Sequence, residues 1–249
     1  MIGPSRRQEN NKGNDNLSKK KKKTGLRRIL GWGLKLFFIL LALSMLQVLI
    51  LRFVNPPFTA MIAWNWVQEK ETHRLDALRS LWRPLKDISP YLRKAVLAGE
   101  DQRFLMHHGF DFTEMNKAIK DMVLRKSYRG ASTITMQVAR TVFLWPERSW
   151  LRKTAELYYT VIIELFWKKE RILEIYLNTV DWGRGIMGAE AASRKYFHIS
   201  CSRISRSQAS LLAAILPAPH KWSPTNPNEQ VLRRQKRILK DMGKMPLVS

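Results

Sequence analysis

Two adjacent carboxylates, Glu100 and Asp101, stand at the end of an amphipathic segment whose apolar residues recur at helical spacing over 91–98. A carboxylate at the C-terminal end of a helix, beside a second carboxylate, takes up a proton more readily, because both neighbours disfavour its charge. That property suits a general base that works near neutral pH. An ordinary solvated acidic turn explains the same residues, so this stretch alone leaves both interpretations open.

The residues that follow contain Phe104 and the pair His107 and His108, which lie near Asp111. Histidines in this position could ligate a metal ion, but no third ligand at a useful spacing is evident. We therefore expect a loop histidine with a structural hydrogen bond, and the ligands of any metal stay unknown.

A second group of polar residues follows Gly130. Ser132 and Thr133 lead into a predicted helix, whose free backbone N–H groups favour anions. Gln137 and Arg140 fall on the same row as Thr133, four and seven residues further on. The group predicts a site for an anionic ligand, although an ordinary capped helix fits the composition equally well.

A third group places three cations, Arg148, Arg152 and Lys153, in the first turns of another predicted helix. Cations at that end oppose the helix dipole, so an anionic ligand explains them better than stability does. Glu156 is spaced to pair with Arg152 or Lys153, and that pairing is the structural alternative.

Helices are predicted for nearly all the segments that carry these residues. Ser89 and Pro90 suit the start of the first helix and Gly99 its end. Ser149 suits the cap of a long helix, and Asn178 is expected to hold a loop by hydrogen bonds. Beyond the first helix, the predicted ranges are 113–125, 132–144, 150–168, 169–178, 189–197, 208–216 and 229–242. Because no alternating run typical of a strand is found, the body is predicted to be all-α.

An apolar segment at residues 29–54 is long enough to span a bilayer as a helix. No cleavage site of small residues follows it, so we expect an uncleaved anchor. Residues 1–28 are polar and are expected to be disordered, and their lysines and arginines predict a cytoplasmic N-terminus. Residues 55–84 are interpreted as an interfacial linker, and residues 85–249 as a domain outside the inner leaflet.

The chain has 249 residues and a formal charge of +24, of which residues 1–28 supply +8 and the remainder +16. A basic body implies an anionic partner, such as nucleic acid, a lipid headgroup or a phosphorylated substrate. Cys201 is the single cysteine, which excludes an intramolecular disulfide and a cysteine-based metal site. Nine tryptophans and ten phenylalanines suit a protein that touches a membrane surface.

Four spaced motifs, in this order, resemble those of the peptidoglycan glycosyltransferase family. The pattern Glu-Asp-x-x-Phe-x-x-His-x-Gly is matched by Glu100, Asp101, Phe104, His107 and Gly109. The pattern Gly-x-Ser-Thr-Ile-Thr-x-Gln begins at Gly130, and Arg-Lys-x-x-Glu begins at Arg152. The fourth stretch lies within 172–197, and the likeness covers about 85–242. Since no transpeptidase motif accompanies them, the chain resembles the monofunctional form.

The resemblance implies a lysozyme-like helical domain with a small membrane-facing lobe, preceded by one transmembrane helix. It implies an enzyme that polymerises lipid II by β-1,4 glycosyl transfer with inversion and releases undecaprenyl pyrophosphate. The implied location is the bacterial inner membrane, with the catalytic domain in the periplasm. The implied partners are lipid II, the growing glycan strand and the membrane, with cell-wall synthesis proteins as candidates and no nucleic acid. Apolar residues proposed for the membrane-facing part are Phe110, Phe112, Met115, Phe143, Leu144 and Trp145.

The resemblance also implies a role for each site residue. Glu100 is the expected general base on the attacking 4-hydroxyl. The expected substrate-binding residues, for pyrophosphate and lipid II, are Arg140, Arg148, Lys153, Ser132, Thr133 and Gln137. Supporting roles are expected for Asp101, Phe104, His107, Glu156 and Asn178. A divalent cation, Mg²⁺ or Mn²⁺, would share the charge of the leaving group. Arg140 departs from the usual lysine, and a guanidinium binds phosphate bidentately where an ammonium does not.

Two other classes of protein compete with this interpretation. A membrane-bound lytic glycosidase of similar fold needs an acidic group such as Glu100 but has no use for the cluster Arg140, Arg148 and Lys153. A membrane-anchored protein that binds anionic lipid or nucleic acid without catalysis needs the basic charge but not the glutamate.

Overall fold

The computed structural model describes residues 6–57, 59, 60, 63, 64, 81–124, 130–183 and 185–248, with only the backbone described for 6–29. Most of the predicted linker therefore lies outside the described residues. The helices are α1 (Arg6–Phe53), α2 (Pro90–Glu100), α3 (Phe112–Val123), α4 (Ile134–Phe143), α5 (Trp150–Phe166), α6 (Lys169–Thr179), α7 (Ala189–Phe197), α8 (Arg206–Ile215) and α9 (Glu229–Asp241). Short 3₁₀ turns occupy Leu85–Asp87, Phe104–Met106, Cys201–Arg203 and Met242–Lys244. The predicted all-α fold class is confirmed.

The helix α1 contains the predicted anchor. Its segment Leu30–Phe53 has 24 residues and a mean hydropathy of 2.5, which is consistent with a single-pass membrane helix. The backbone is helical from Arg6 onward, and the disorder predicted for residues 1–28 stays a prediction. Extending a helix that the apolar segment has already nucleated gains one hydrogen bond for each residue fixed, and lysine and arginine are favourable helix residues.

The starts of two helices follow the predicted caps. Ser89 Oγ accepts a hydrogen bond from the Tyr91 N–H at 3.3 Å, and Pro90 is the first residue of α2. Ser149 Oγ accepts from the Arg152 N–H at 3.1 Å at the start of α5. Each cap satisfies a backbone donor that has no partner within its helix, so these starts are determined locally.

The end of α2 differs from the prediction. Gly99 does not stop the helix, which continues to Glu100 and ends at Asp101. A Cβ added to Gly99 would lie 3.2 Å from Cδ1 of Ile238 on α9. The glycine therefore serves the close approach of two helices, and the candidate base belongs to the last turn of α2.

Two groups of packed helices position the site. The first consists of α2, α8 and α9, and in the second α4 packs against α5 and α6. Fully buried side chains in the first group include Leu92, Val96, Leu212 and Val231, and those in the second include Ile134, Ile163, Ile172 and Leu177. Glu100 lies at the end of α2 in the first group and contacts Gln137 on α4 in the second.

A small antiparallel hairpin follows α6 and was not predicted. It pairs β1 (Asp181–Gly183) with β2 (Ile186–Met187). Strands of three and two residues are too short to show alternation in the sequence. The Tyr196 hydroxyl on α7 donates to the Trp182 carbonyl at 2.9 Å, which holds the hairpin against the next helix.

Buried Glu190 connects α7 to two other segments. Its carboxylate accepts hydrogen bonds from Arg83 Nη2 at 3.0 Å, Arg194 Nε at 2.7 Å, Ser200 Oγ at 3.0 Å and the Cys201 N–H at 2.9 Å. Burial alone would raise the pKa of Glu190, but the bonds from Cys201, Arg194 and Arg83 outweigh it and lower the pKa to about 2. Burial also raises the pKa of the Cys201 thiol, which is therefore an inert core residue.

Candidate active site

Glu100 is held through both of its carboxylate oxygens. Oε1 accepts from Arg234 Nη2 at 2.7 Å, and Oε2 accepts from Gln137 Nε2 at 3.0 Å. The side chain keeps 13% of its surface exposed, so it is accessible from one side only. Two donors, one of them cationic, fix the direction in which this carboxylate points.

Tyr176 on α6 fixes the orientation of Gln137. Its hydroxyl donates to Gln137 Oε1 at 3.2 Å, which turns the Gln137 amide nitrogen towards Glu100. Burial raises the pKa of Tyr176 well above 10, the Glu100 carboxylate raises it further, and the charges of Arg140 and Arg234 act against this. The hydroxyl therefore stays neutral and remains a donor.

Two of these residues were missed by the sequence analysis. Arg234 is one of several cations on the strongly amphipathic α9, and no feature of the sequence separates it from its exposed neighbours. Tyr176 lies in the fourth stretch of the resemblance, within 172–197, where only Asn178 was given a role. Membership of that motif was the one available signal for Tyr176, while Arg234 is found only through its contact with Glu100.

Asp101 holds the loop that follows the candidate base. Its Oδ1 lies 2.9 Å from His107 Nε2, and its Oδ2 accepts from the Ile134 N–H at 3.0 Å. Ile134 is the first residue of α4, so the buried carboxylate caps that helix and ties it to the end of α2. His107 is the loop histidine with a structural hydrogen bond that the sequence predicts.

Phe104 and Asn178 also lie in supporting positions. Phe104 is 2% exposed, and Lys169 Nζ lies 4.5 Å from its ring centroid. Asn178 accepts from the Arg83 N–H and donates to the Arg83 carbonyl, both at 2.8 Å. Through this pair, α6 fixes the chain segment that leads into α2.

Thr133 is built into the scaffold. Its hydroxyl donates to the Gly109 carbonyl at 2.6 Å and accepts from the Met136 N–H at 3.3 Å, and the residue is 3% exposed. Gly109 has a φ of +88°, and a Cβ there would lie 2.7 Å from Thr160 Cγ2, so only glycine fits. Thr133 therefore belongs to the scaffold, while Ser132 is half-buried.

The predicted cationic residues fall into two kinds. Glu156 is fully buried and accepts from Arg152 Nη1 at 2.9 Å and from Lys153 Nζ at 2.7 Å. The Lys153 side chain remains 40% exposed. Arg148 is exposed and Arg140 half-buried, and among the described residues neither has a carboxylate partner. An unpaired guanidinium is free to bind an anion.

One cluster in the described part of the chain has the composition of a metal site. Ligand atoms of Asp101, His107 and Asp111 lie within 4.8 Å of one another, and all three residues are buried. Both oxygens of Asp101 are already bonded, and Asp111 accepts from the Glu114 N–H at 3.0 Å and lies 3.2 Å from Arg103 Nε. The carboxylate oxygens of this cluster already contact backbone N–H groups, a histidine and a guanidinium. They are therefore not free to coordinate a metal ion, and the cluster does not fit one.

The residues expected to face the membrane are only partly exposed. Phe112 is 68% exposed, but Leu144 is 3% exposed and Phe143 stacks on Tyr159 with ring centroids 4.5 Å apart. The expectation is therefore wrong for Leu144, which packs into the core where α4 ends. The sequence analysis missed an apolar stripe on α5, formed by Trp150, Leu151, Leu157, Val161 and Leu165, each at least 41% exposed.

Comparison with known proteins shows the family of this chain. The family model described as "Transglycosylase" matches residues 68–243. The chain belongs to the transglycosylase family. Two biosynthetic peptidoglycan transglycosylases illustrate the relationship. That of Chromohalobacter salexigens is 46% identical over 208 residues, covering 82% of this chain and 87% of the relative. That of Bacteroides thetaiotaomicron is 41% identical over 221 residues, covering 89% of each chain.

Proposed function

We propose that this chain is a peptidoglycan glycosyltransferase that polymerises lipid II into the glycan strands of the cell wall. The observation that carries the proposal is Glu100, whose two carboxylate oxygens accept hydrogen bonds from Arg234 and Gln137, in a chain that the transglycosylase family model matches. We propose that this fixed carboxylate accepts the proton of the attacking hydroxyl and that arginines of the chain receive the pyrophosphate.

In the proposed step, the 4-hydroxyl oxygen of an incoming lipid II attacks the anomeric carbon of the growing strand. The hydroxyl proton passes to Glu100, and the bond from the anomeric carbon to the pyrophosphate oxygen breaks. The pyrophosphate leaves with the electron pair, and the anomeric centre is inverted to a β-1,4 link. Each turn adds one disaccharide and releases one undecaprenyl pyrophosphate.

Charge develops on the pyrophosphate as it leaves, and basic residues are proposed to stabilise it. Arg148 and Arg140 offer guanidinium groups without a carboxylate partner among the described residues, and Lys153 offers an ammonium held by Glu156. Fixed cations stabilise charge that appears in the transition state more than they stabilise the ground state. Ser132 is proposed to line the same site. Thr133 is proposed to hold the backbone around that site in place.

A divalent cation, Mg²⁺ or Mn²⁺, is also proposed, bound with the pyrophosphate of the substrate. Its charge would add to that of the arginines. Because the cluster around His107 is already filled, we assign no ligands in this chain. Loss of polymerisation with a chelator, restored by adding back the cation, is the expected behaviour.

We propose that residues before the anchor are cytoplasmic and that the catalytic domain is periplasmic, where lipid II is polymerised. The basic residues of 1–28 favour this orientation. The apolar stripe on α5 is proposed to contact the outer leaflet of the inner membrane, which carries the substrate. Its tryptophan at position 150 is 91% exposed, as suits a membrane interface.

The lytic glycosidase is the competing enzyme of similar fold. Its reaction releases no pyrophosphate, so it has no use for the cations Arg140, Arg148 and Lys153. Incubating the purified chain with lipid II and, separately, with finished glycan distinguishes the two. Polymer from lipid II supports the proposal, and fragments from finished glycan without polymer would contradict it.

A further inference from the structure

We propose that Arg234 is a positioning residue that, together with Tyr176 acting through Gln137, keeps Glu100 ionised and fixes its orientation towards the attacking hydroxyl. This inference rests on the proposed function of Glu100 and assigns the groups that prepare it. Neither Arg234 nor Tyr176 is proposed to touch the substrate.

The geometry around Arg234 joins two helices at the base. Its Nη2 donates both to the Gly99 carbonyl at 2.8 Å and to Glu100 Oε1 at 2.7 Å. Gly99 and Glu100 form the last turn of α2, so one nitrogen satisfies a free helix-end carbonyl and the carboxylate together. The side chain is 17% exposed, and burial lowers the pKa of Arg234 while the Glu100 charge opposes that.

The second oxygen of Glu100 is set by a chain of directed hydrogen bonds. Tyr176 donates to Gln137 Oε1, and Gln137 Nε2 donates to Glu100 Oε2. A glutamine amide can rotate by half a turn, which would bring its carbonyl oxygen against the carboxylate. A Tyr176 hydroxyl that donates to the amide oxygen favours the orientation in which the amide nitrogen faces the carboxylate.

The charged groups of this network come from several elements. Arg140 on α4 and Asp101 act electrostatically on Tyr176, and Arg237 on α9 acts on Arg234. Two further elements pack on α2: α8, whose only charged residue, Arg206, donates to the Leu239 carbonyl, and the turn Met242–Lys244, whose Lys244 lies 3.3 Å from Asp241. Among these, Arg234 makes the direct cationic contact with the Glu100 carboxylate. Removing it should therefore change the proton affinity of the base most strongly.

The test measures lipid II polymerisation against pH for the full chain carrying Arg234→Gln. We expect kcat to fall about 10–100-fold, because a displaced or protonated base loses most of its contribution. We also expect KM to stay within about threefold. The acid limb of the kcat profile should move up by about one pH unit, since a positive charge near 3 Å favours the ionised base by about that amount.

The matched control is Arg233→Gln, the neighbouring exposed residue on α9, whose guanidinium lies 3.2 Å from Glu229. It should retain wild-type kcat and the wild-type acid limb. Arg234→Lys keeps the charge and should restore the position of the acid limb, while kcat stays reduced because an ammonium cannot reproduce the shared geometry.

A third variant tests the same hydrogen-bond network without changing any residue of α9. Tyr176→Phe leaves Arg234 untouched and frees Gln137 to rotate, so kcat should fall several-fold and the acid limb should move in the same direction. In the double variant Arg234→Gln with Tyr176→Phe, kcat should fall by less than the product of the two single reductions. Both changes act on the same carboxylate, so their effects are not independent.

Wild-type profiles in both Arg234→Gln and Tyr176→Phe would overturn the inference and leave the proposed function standing. A loss of kcat in Arg234→Gln with an unmoved acid limb would also overturn it, because it would assign Arg234 a structural role alone. Wild-type polymerisation by Glu100→Gln would instead show that Glu100 is not the base. The proposed role of Glu100 would then fail, and this inference with it.

Discussion

The two donors on Glu100 decide what this carboxylate can do. Arg234 on one oxygen and Gln137 on the other hold it fixed in direction. A base of this kind performs its task by position as much as by proton affinity, because the attacking hydroxyl must arrive within hydrogen-bond distance. Asp101 does not share that task, since both of its oxygens are committed to His107 and Ile134.

Replacing Asp101 by alanine should lower stability without altering the chemistry of the base. The variant loses the cap of α4 and the partner of a buried histidine, which together should reduce the free energy of unfolding by about 2–4 kcal/mol. Thermal unfolding and the pH profile of the remaining activity measure the two effects separately. A shifted acid limb in this variant would show that Asp101 tunes Glu100 after all.

Arg148→Gln should act on the leaving group alone. The residue is exposed and has no carboxylate partner among the described residues, so folding should be unchanged. Loss of one cation at the pyrophosphate should reduce kcat by about 10–100-fold in a lipid II polymerisation assay. Lys236→Gln, an exposed cation on α9, is the matched control. Equal activity in the two variants would count against a role for Arg148.

At the scale of elements, the sequence predicted what neighbouring residues determine. The caps Ser89 and Ser149 lie beside the groups they satisfy, so the starts of α2 and α5 were predictable. The use of Gly99 and the partner of Glu100 depend on α9, where Arg234 lies 134 residues beyond Glu100 in the chain. No local pattern records such a contact, so the end of α2 and the role of Arg234 required the structure.

The position of Leu144 shows the same limit in an apolar residue. Hydrophobicity alone made it a candidate for the membrane surface, yet it is buried where α4 ends. The stripe on α5 has the same composition and is exposed. Composition identifies apolar residues, whereas the packing of α4 against α5 decides which of them remain outside the core.

Glu190 gives the elements around α7 a pH-dependent stability. Its pKa of about 2 in the folded chain lies below the ordinary value of 4.5. At about 1.4 kcal/mol per pKa unit, the difference corresponds to roughly 3 kcal/mol of stability. Because the folded pKa is depressed, this contribution is complete above pH 4.5 and is lost as the pH falls towards 2.

Glu190→Gln should therefore reduce the free energy of unfolding by about 2–3 kcal/mol at pH 7, and the difference from wild type should shrink between pH 4.5 and 2. Denaturant unfolding of the detergent-solubilised protein at several pH values measures this. Glu229→Gln, at an exposed position on α9, should change the free energy of unfolding little at any pH. A difference that stays constant across the range would contradict the account of Glu190.

At the scale of the molecule, charge and apolar surface are suited to a substrate held in a membrane. Among the described residues, one helix is apolar enough to span the bilayer, and the chain as a whole carries a large positive charge. Anionic headgroups and pyrophosphate are both attracted by such a charge. The stripe on α5 begins at Trp150, in the same helix that carries Lys153 and Glu156, so the proposed leaving-group site and the proposed membrane surface share one helix.

The triple change of Leu151, Val161 and Leu165 to serine should weaken activity at a bilayer selectively. In vesicles that contain lipid II, polymerisation should fall about tenfold, because apolar area that contacted lipid is lost. In detergent the rate should remain within about twofold of wild type. The control is Leu232→Ser on α9, an exposed leucine outside the stripe. Equal losses in vesicles and detergent would argue against membrane contact by this face.

The central claim is that Glu100 is the base for glycosyl transfer, and Glu100→Gln tests it most directly. Glutamine keeps the size of the side chain and can still accept from Arg234, but it cannot take up the hydroxyl proton. We predict that the purified full chain carrying this change binds lipid II as wild type does and polymerises it at least 100-fold more slowly. Polymerisation within a few-fold of wild type would contradict the account.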